Sequence, residues 1–322
     1  MKKTILKCVV PAILLASPLG VSGLASAQGS VVEEVVEEVV EDIAEEVDAG
    51  EVLGAIEAAA PAGSIPAEVE ANPENWREVN PEYLIIFETT KGRVLIEAFP
   101  EIAPKHVAQY LAITRSGDYD GTAFHRVIDG FMAQGGDVFA KHVRETGLPD
   151  IPAEFTFRRD PAEIDLSIIG DPDIGQDGYY KGLPIRTQSV WLAELSADGR
   201  VESHIPHCRG VVSAARLGNN INSANSQFFL MRDRYDSLNK QYSPWGRIVD
   251  GQNAPQTMKT GDPQVVNPDI LNKAHVAADL PVGERPRVWV ERTDTPAFKA
   301  KLTELGSANV CDLPAVASVV TG

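Results

Sequence analysis

The stretch from Phe124 to Asp137 constrains this chain more than any other part of its sequence, and it reads FHRVIDGFMAQGGD. It places Arg126, several large apolar side chains and the amide of Gln134 within 14 positions. Nothing in it is typical of a nucleophile, a metal cage or a phosphate cradle. These residue types suit a pocket that grips an apolar group and directs a guanidinium at a neighbouring amide. We therefore expect any chemistry here to be non-covalent.

The same stretch predicts its own local structure. Alternation along an extended segment would place Arg126 on the same face as Phe124 and opposite His125. Asp129-Gly130 is typical of a hairpin turn. The glycine pair at 135–136 allows unusual backbone angles or the close approach of another backbone. For the Phe-His-Arg triplet alone, the alternative is an ordinary hairpin with a surface arginine.

Two further blocks follow in the same order along the chain. The second consists of Gly210–Ala215 (GVVSAA) with Ser226–Leu230 (SQFFL), and the third is Leu238–Gly251 (LNKQYSPWGRIVDG). With these three blocks the sequence resembles the cyclophilins, the cyclosporin-binding class of peptidyl-prolyl cis-trans isomerases. The resemblance runs from about Tyr83 to Gly251 and is interrupted by an insertion. It is strongest to secreted bacterial members that have a similar insertion and tail.

The expected fold comes partly from pattern and partly from this resemblance. Apolar runs predict a hairpin of Tyr83–Glu88 with Val94–Phe99, and Pro104 to Gly117 bounds a helix. Short strands around 124–128, 131–134, 211–214 and 227–231 indicate a mainly β architecture. The resemblance implies the specific form, which is a closed eight-stranded antiparallel barrel capped by two helices, with the active site on its outer face.

The resemblance also implies the site. Arg126 takes the catalytic role, and no cofactor or metal is implied. The side chains or backbones expected to bind substrate are His125, Phe131, Met132, Gln134, Ala215, Arg216, Gln227, Phe229, Leu238 and Tyr242. His125 is assigned no proton transfer, and a purely structural histidine is the alternative reading.

Several positions depart from the family pattern. Arg216 replaces an asparagine common in eukaryotic members, and Tyr242 stands where those members have histidine. Ser237 occupies the place of a tryptophan that favours cyclosporin, so we expect weak cyclosporin binding. Two extra residues fall within 218–225 and shift a groove loop.

The N-terminal part predicts export. Residues 1–27 have a basic start at Lys2 and Lys3, an apolar stretch and an Ala-Ser-Ala cleavage site, as a secretory signal peptide does. No later segment is long and apolar enough to span a bilayer, so we expect an exported protein, periplasmic if the source is Gram-negative. Residues 28–80 carry 15 acidic side chains and one arginine, which argues against nucleic-acid binding. The Val/Glu repeat at 31–47 is either a solvated acidic tether or a docking helix for a partner.

We therefore divide the chain into a signal peptide (1–27), an acidic low-complexity extension (28–75), a cyclophilin-like domain (76–294) and a C-terminal tail (295–322). The insertion in the domain spans about 156–205. Its composition is typical of an irregular excursion, and a loop of this length is usually functional or disordered. A strand at Arg287–Glu291 and a helix over Pro296–Leu305 are expected near the C-terminus.

Cysteines and acidic clusters leave further alternatives open. An oxidising compartment permits a disulfide between Cys208 and Cys311, although two free thiols are the alternative. Asp171, Asp173 and Asp177 lie near the spacing of a calcium loop but lack its glycine and its final glutamate. His204, His207 and Cys208 are a weak zinc candidate because no second ligand cluster stands nearby.

The leading hypothesis is a peptidyl-prolyl isomerase that accelerates rotation of X–Pro bonds during folding of exported proteins, by a non-covalent mechanism centred on Arg126. Its partners would be proline-containing polypeptides. The alternative is a proline-segment binding or chaperone module with little catalytic activity.

Overall fold

The computed structural model describes residues 65–144, 146–169, 175–305, 309–313 and 315–322. The expected signal peptide, the Val/Glu repeat and most of the acidic extension lie outside these residues. The helices are α1 (Ala67–Ala71), α2 (Pro104–Ser116), α3 (Val138–His142), α4 (Asn253–Thr257) and α5 (Pro296–Leu305). The strands are β1 (Trp76–Glu78), β2 (Leu84–Thr89), β3 (Gly92–Ala98), β4 (Thr122–Ala123), β5 (Arg126–Ile128), β6 (Met132–Gly135), β7 (Phe157–Arg159), β8 (Ser167–Ile169), β9 (Gln176–Tyr180), β10 (Leu183–Thr187), β11 (Val201–His204), β12 (Val211–Ala214), β13 (Phe228–Met231), β14 (Pro244–Asp250), β15 (Ile270–Val276), β16 (Arg287–Glu291) and β17 (Ser318–Thr321).

The central feature is an antiparallel sheet that curls into a half-barrel. It has nine strands in the order β4-β15-β2-β3-β14-β12-β13-β6-β5. The mainly β prediction is therefore confirmed, and a half-barrel sheet of nine strands approximates the expected closed barrel of eight. The strand expected around 124–128 is shorter, because β5 begins only at Arg126 and pairs with β6. The preceding strand, β4, pairs with β15 at the other end of the sheet. Only Phe124 and His125 separate these two edge strands in the chain.

At the central strands β2 and β3, both faces of this sheet are buried. Ile85, Phe87 and Ile96 pack in the inner core, where α2 adds Tyr110 and α4 adds Ala254. Leu84, Ile86 and Leu95 pack in a second core on the outer face. A strand buried on both faces has no polar alternation, which explains the continuous apolar run at the start of β2.

The insertion is an ordered sheet, and the expectation of an irregular excursion was wrong. Five antiparallel strands follow the order β7-β11-β10-β9-β8. Gly182, one of the glycines that indicated a loop, instead lies in a tight turn, since Lys181 and Gly182 connect β9 to β10 with φ of 50° and 82°. Leu183 and Ile185, at alternate positions of β10, are buried and pack in the second core on the outer face of the half-barrel.

The C-terminal tail closes over the same outer face. Strands β1, β16 and β17 form a three-stranded sheet, and the predicted strand at Arg287–Glu291 and helix at Pro296–Leu305 are both present. Cys208 and Cys311 form a disulfide with 4.9 Å between their Cα atoms. Of the two alternatives for these cysteines, pairing is the one found. Among the described residues, no helix has the length and apolar character needed to cross a membrane.

Candidate active site

Arg126 lies on the outer face of the half-barrel, in a row with two other predicted site residues. It pairs with Gln134 across the β5–β6 hairpin, and Gln134 pairs in turn with Phe229 on β13. Adjacent strands lie about 4.8 Å apart, so the row spans roughly 10 Å from Arg126 to Phe229. Strand alternation sends these side chains outward, while Val127, Ala133 and Phe228 face the inner core.

The turn and the glycines in this hairpin have the expected roles. Gly130 has a φ of 61° in the turn between the strands. A Cβ on Gly136 would lie 2.6 Å from the ring of Phe228, so only glycine fits there.

One sequence expectation fails, because Phe124 packs in the inner core and not on the face of Arg126. Strand β5 begins only at Arg126, and alternation does not extend back through the connection from β4.

The apolar residues of the predicted site come together beside this row. Met132, Ala215, Phe229 and Leu238 are buried in the outer core, with Phe131 and Tyr242 partly buried against it. Phe229 meets Tyr242 edge to face at 5.6 Å between ring centroids. We call these six residues the socket. Its partly exposed aromatic rims can enclose a ring-sized apolar group.

Two glutamines connect the row to the start of a short helix. Gln134 donates from Nε2 to Oε1 of Gln227 at 2.9 Å, and Gln227 donates from Nε2 to Oδ2 of Asp137 at 2.9 Å. Asp137 also caps α3 by accepting from the amide of Ala140. This relay fixes the side-chain amides of both predicted glutamines, one of them next to Arg126.

A protein-family model identifies the family to which this chain belongs. The model described as "Cyclophilin type peptidyl-prolyl cis-trans isomerase/CLD" matches residues 84–276. The chain belongs to this family. It is therefore a peptidyl-prolyl isomerase of the cyclophilin type, as the three sequence blocks predicted.

Individual relatives agree with the family match. A cyclophilin crystal structure, AquaCyp293 from Hirschia baltica, is 49% identical, covers 80% of this chain and 98% of its own, and has a TM-score of 0.75. A probable peptidyl-prolyl cis-trans isomerase of Brucella abortus (strain 2308) is 37% identical over 204 residues, which are 62% of this chain and 85% of the relative. Peptidyl-prolyl cis-trans isomerase-like 3 of Rhizopus delemar is 30% identical over 168 residues, covering 52% and 75%.

Sequence reasoning missed one residue at the site of this cyclophilin. Asp262 accepts a hydrogen bond from Nε of Arg126 at 2.7 Å. The two residues are 136 positions apart, and they meet because Gly261 bridges to Val127. The Arg126 side chain remains 33% exposed, so a peptide can reach it. No local pattern around Asp262 indicates this contact.

His125 has a different environment from Arg126. It is half-buried, and burial lowers the pKa of its ring because it disfavours the charged form. Its carbonyl accepts from the amide of Val265. Within the described part of the chain, its ring makes no ring contact with the socket. Substrate binding by His125 therefore stays a prediction, with a structural role as its alternative.

Arg216 lies beside Tyr242 of the socket, and its side chain connects two loops there. Its guanidinium donates to the carbonyl of Gln241 and lies 4.6 Å from the ring centroid of Tyr242. The insertion reaches the same region, since Glu202 of β11 pairs with Lys240 at 2.6 Å. The insertion therefore supports the loop that carries Leu238 and Tyr242, on the socket side of the groove.

The metal alternatives from the sequence gain no support from side-chain positions. Cys208 is held in the disulfide, and His207 contacts Asn239 and Ser213. Asp177 pairs with Arg186, while Asp171 and Asp173 lie outside the described residues. In the part of the chain that the structure describes, no three His, Cys, Asp or Glu residues are grouped to hold a metal ion.

Proposed function

We propose that this cyclophilin accelerates X–Pro bond rotation during the folding of exported proteins, and that Arg126 supplies the catalytic interaction. The observation that carries the proposal is the row Arg126–Gln134–Phe229 on the outer face of the sheet, with an accessible guanidinium at one end and the apolar socket at the other. Such a site can hold a proline ring and place a fixed positive charge beside its amide.

The energetic requirement is modest. The rotational barrier of a peptide bond is about 18–20 kcal/mol, which leaves uncatalysed X–Pro exchange on a scale of tens of seconds. A barrier of roughly 14 kcal/mol gives turnover on the order of 10² per second. The site therefore has to stabilise the twisted amide by about 5 kcal/mol relative to the planar one.

A guanidinium beside the prolyl nitrogen can supply much of this difference. Twisting breaks amide resonance and makes that nitrogen pyramidal and basic, so it accepts a hydrogen bond that the planar amide cannot accept. Stabilisation that exists only in the twisted state lowers the barrier without trapping the substrate. Arginine suits the task because it stays charged and its donors form a rigid fork.

The other residues bind and orient. The socket receives the proline ring, and Gln134, held by Gln227, donates to the peptide backbone or orients Arg126. The backbone at Ala215 and Arg216 binds the residue before proline. Arg216 is committed to Gln241 and Tyr242, so we assign it no side-chain contact with substrate.

Export rests on the N-terminal sequence. The signal-peptide pattern in residues 1–27 supports it, and a disulfide between Cys208 and Cys311 is typical of oxidising compartments such as the periplasm. The natural substrates would then be proline-containing segments of envelope or secreted proteins.

The decisive experiment compares isomerisation of a proline peptide by wild type, Arg126→Ala and Arg126→Lys, measured by NMR exchange. We expect kcat/KM to fall by about 10²–10³-fold in Arg126→Ala and by somewhat less in Arg126→Lys. Arg292→Ala, which removes an exposed arginine paired with Asp294, is the matched control and should keep full activity. If wild type and Arg126→Ala both show the uncatalysed rate while binding the peptide equally, the binding-module alternative is correct.

A further inference from the structure

Asp137 ends the first sequence block but is not among the residues expected at the site. Its two carboxylate oxygens have different partners. Oδ1 accepts from the backbone amide of Ala140 at 2.9 Å, as the N-cap of α3, and Oδ2 accepts from Nε2 of Gln227 at 2.9 Å. The helix cap therefore fixes this carboxylate, and the carboxylate in turn contacts the residue that holds Gln134.

The carboxylate sets the direction of the hydrogen bonds in this relay. An ionised carboxylate can only accept, whereas a glutamine amide has an accepting oxygen on one side and a donating NH2 group on the other. Gln227 must therefore turn its NH2 group to Asp137, which leaves its Oε1 for the next glutamine. Gln134 must then turn its own NH2 group to Gln227, and the contact of 2.9 Å from Nε2 of Gln134 to Oε1 of Gln227 has this direction.

The direction of the relay decides which atom of Gln134 faces the guanidinium. Gln134 lies on β6, Gln227 immediately precedes β13 on one side of it, and Arg126 lies on β5 on the other side. Because Nε2 of Gln134 is directed to the β13 side, its Oε1 is directed to the β5 side. An amide oxygen in this position accepts from a guanidinium, whereas an NH2 group there would place two donors face to face.

We propose that Asp137 is a positioning residue for the isomerase reaction, and that it keeps Oε1 of Gln134 directed at the guanidinium of Arg126. This inference rests on the proposed catalytic role of Arg126. Nε of this arginine already donates to Asp262 at 2.7 Å. An amide oxygen on β6 restrains the terminal nitrogens, which are the donors that have to meet the prolyl nitrogen.

Asp137→Asn reverses the relay and keeps the helix cap. The cap needs an oxygen opposite the amide of Ala140, so the new NH2 group must take the position of Oδ2 and face Gln227. Gln227 then presents its oxygen to position 137 and its NH2 group to Gln134, and the amide of Gln134 turns over as well. We expect kcat to fall about five- to tenfold, with KM changed by less than about twofold.

A second substitution should restore the original direction. Gln227→Glu in the Asp137→Asn background supplies a carboxylate that accepts from the new NH2 group on one side and from Gln134 on the other. We expect this double variant to recover kcat to within about threefold of wild type and to be more active than Asp137→Asn alone. Both constants come from NMR exchange of a proline peptide at saturating and sub-saturating concentrations. If Asp137→Asn fails to fold in a urea titration, Asp137→Ser keeps a capping hydroxyl, does not reach Gln227 and should lose kcat to a similar extent.

Two controls separate hydrogen-bond direction from the loss of a charge. Asp160→Asn, at an aspartate of the insertion that also accepts from a backbone amide, is the matched substitution and should keep full activity. Salt screens long-range effects of charge, since the Debye length falls from about 10 Å at 0.1 M to about 3 Å at 1 M. We expect the ratio of kcat between wild type and Asp137→Asn to be the same at both salt concentrations, because salt does not reverse an amide.

Several outcomes would overturn the positioning role. They are an unchanged kcat in the folded single variant, a double variant no more active than Asp137→Asn, or a difference in kcat that high salt abolishes. Neutron diffraction locates amide deuterons, and Nε2 of Gln134 found on the side of Arg126 in wild type would also overturn it.

Arg126→Ala distinguishes this failure from failure of the proposed function. Full activity in Arg126→Ala refutes the catalytic role of Arg126. Lost activity in Arg126→Ala together with full activity in Asp137→Asn refutes only the role of Asp137.

Discussion

Asp262 holds one edge of the Arg126 guanidinium, with 2.7 Å between its Oδ1 and Nε of the arginine. Among the described residues this is the one ion pair of Arg126, so its terminal nitrogens remain available to a substrate. The pair links β5 to the segment that crosses it at Gly261. We therefore expect Asp262 to act as a positioning residue for the proposed catalytic group.

Removing this carboxylate should lower kcat more than it changes KM. We expect Asp262→Ala to reduce kcat by about three- to tenfold and Asp262→Asn by less, because the amide oxygen can still accept from Nε. The two side chains are 33% and 54% exposed, so the free energy of unfolding should change by less than about 1 kcal/mol. Asp294→Ala, which removes another exposed arginine partner, is the control. Unchanged kcat in Asp262→Ala would contradict the positioning role.

Breaking the disulfide should destabilise the fold and leave the site intact. The bridge between Cys208 and Cys311 closes a loop with a sequence separation of 103. Loop-closure entropy then predicts a loss of about 2–5 kcal/mol in the double variant Cys208→Ser/Cys311→Ser, measured by urea unfolding. Reductant should weaken the wild type by a similar amount and have no effect on the double variant. Equal stability of wild type with and without reductant would refute the prediction.

His207 should make the protein sensitive to mild acid. Burial lowers the pKa of His207 from 6.5 to about 4, and its ring stacks on Phe229 of the socket at 6.0 Å. Between these two pH values the unfolded chain binds a proton that the folded chain excludes, so the free energy of unfolding falls as pH falls. From pH 7 to 4.5 this histidine accounts for roughly 2–3 kcal/mol of the loss.

The test is urea unfolding of wild type and His207→Gln at both pH values. His204, whose pKa burial also lowers to about 4, stays in place in this variant and serves as an internal reference. The variant should lose less stability on acidification than wild type, whatever its stability at pH 7. Identical losses would show that His207 titrates normally in the fold.

Cyclosporin should inhibit this enzyme weakly. Ser237 is exposed next to Leu238 of the socket, at the place where cyclosporin-sensitive relatives have tryptophan. Ser237→Trp adds an indole that can pack on the drug, and we expect it to lower the inhibition constant by about tenfold or more, with kcat/KM on a proline peptide nearly unchanged. Inhibition of the wild type at low nanomolar concentration would contradict the prediction.

The sequence predicts the hairpin that carries Arg126 and Gln134, because the residues that specify this hairpin lie close together in the chain. Strand alternation, the Asp129-Gly130 turn and the glycine pair specify the hairpin that places Gln134 beside Arg126. The helix from Pro104 and the final strand and helix were also predicted within a residue or two, since caps, turns and periodicity act over a few positions.

Contacts between distant segments were decided only by the tertiary structure. Asp262 reaches Arg126 across 136 residues because the sheet curls until the segment at Gly261 lies beside β5. The insertion forms a sheet because burial against the outer core outweighs its loop-like composition. Local propensities carry no information about which distant groups share a buried site, because that depends on how the whole chain excludes water.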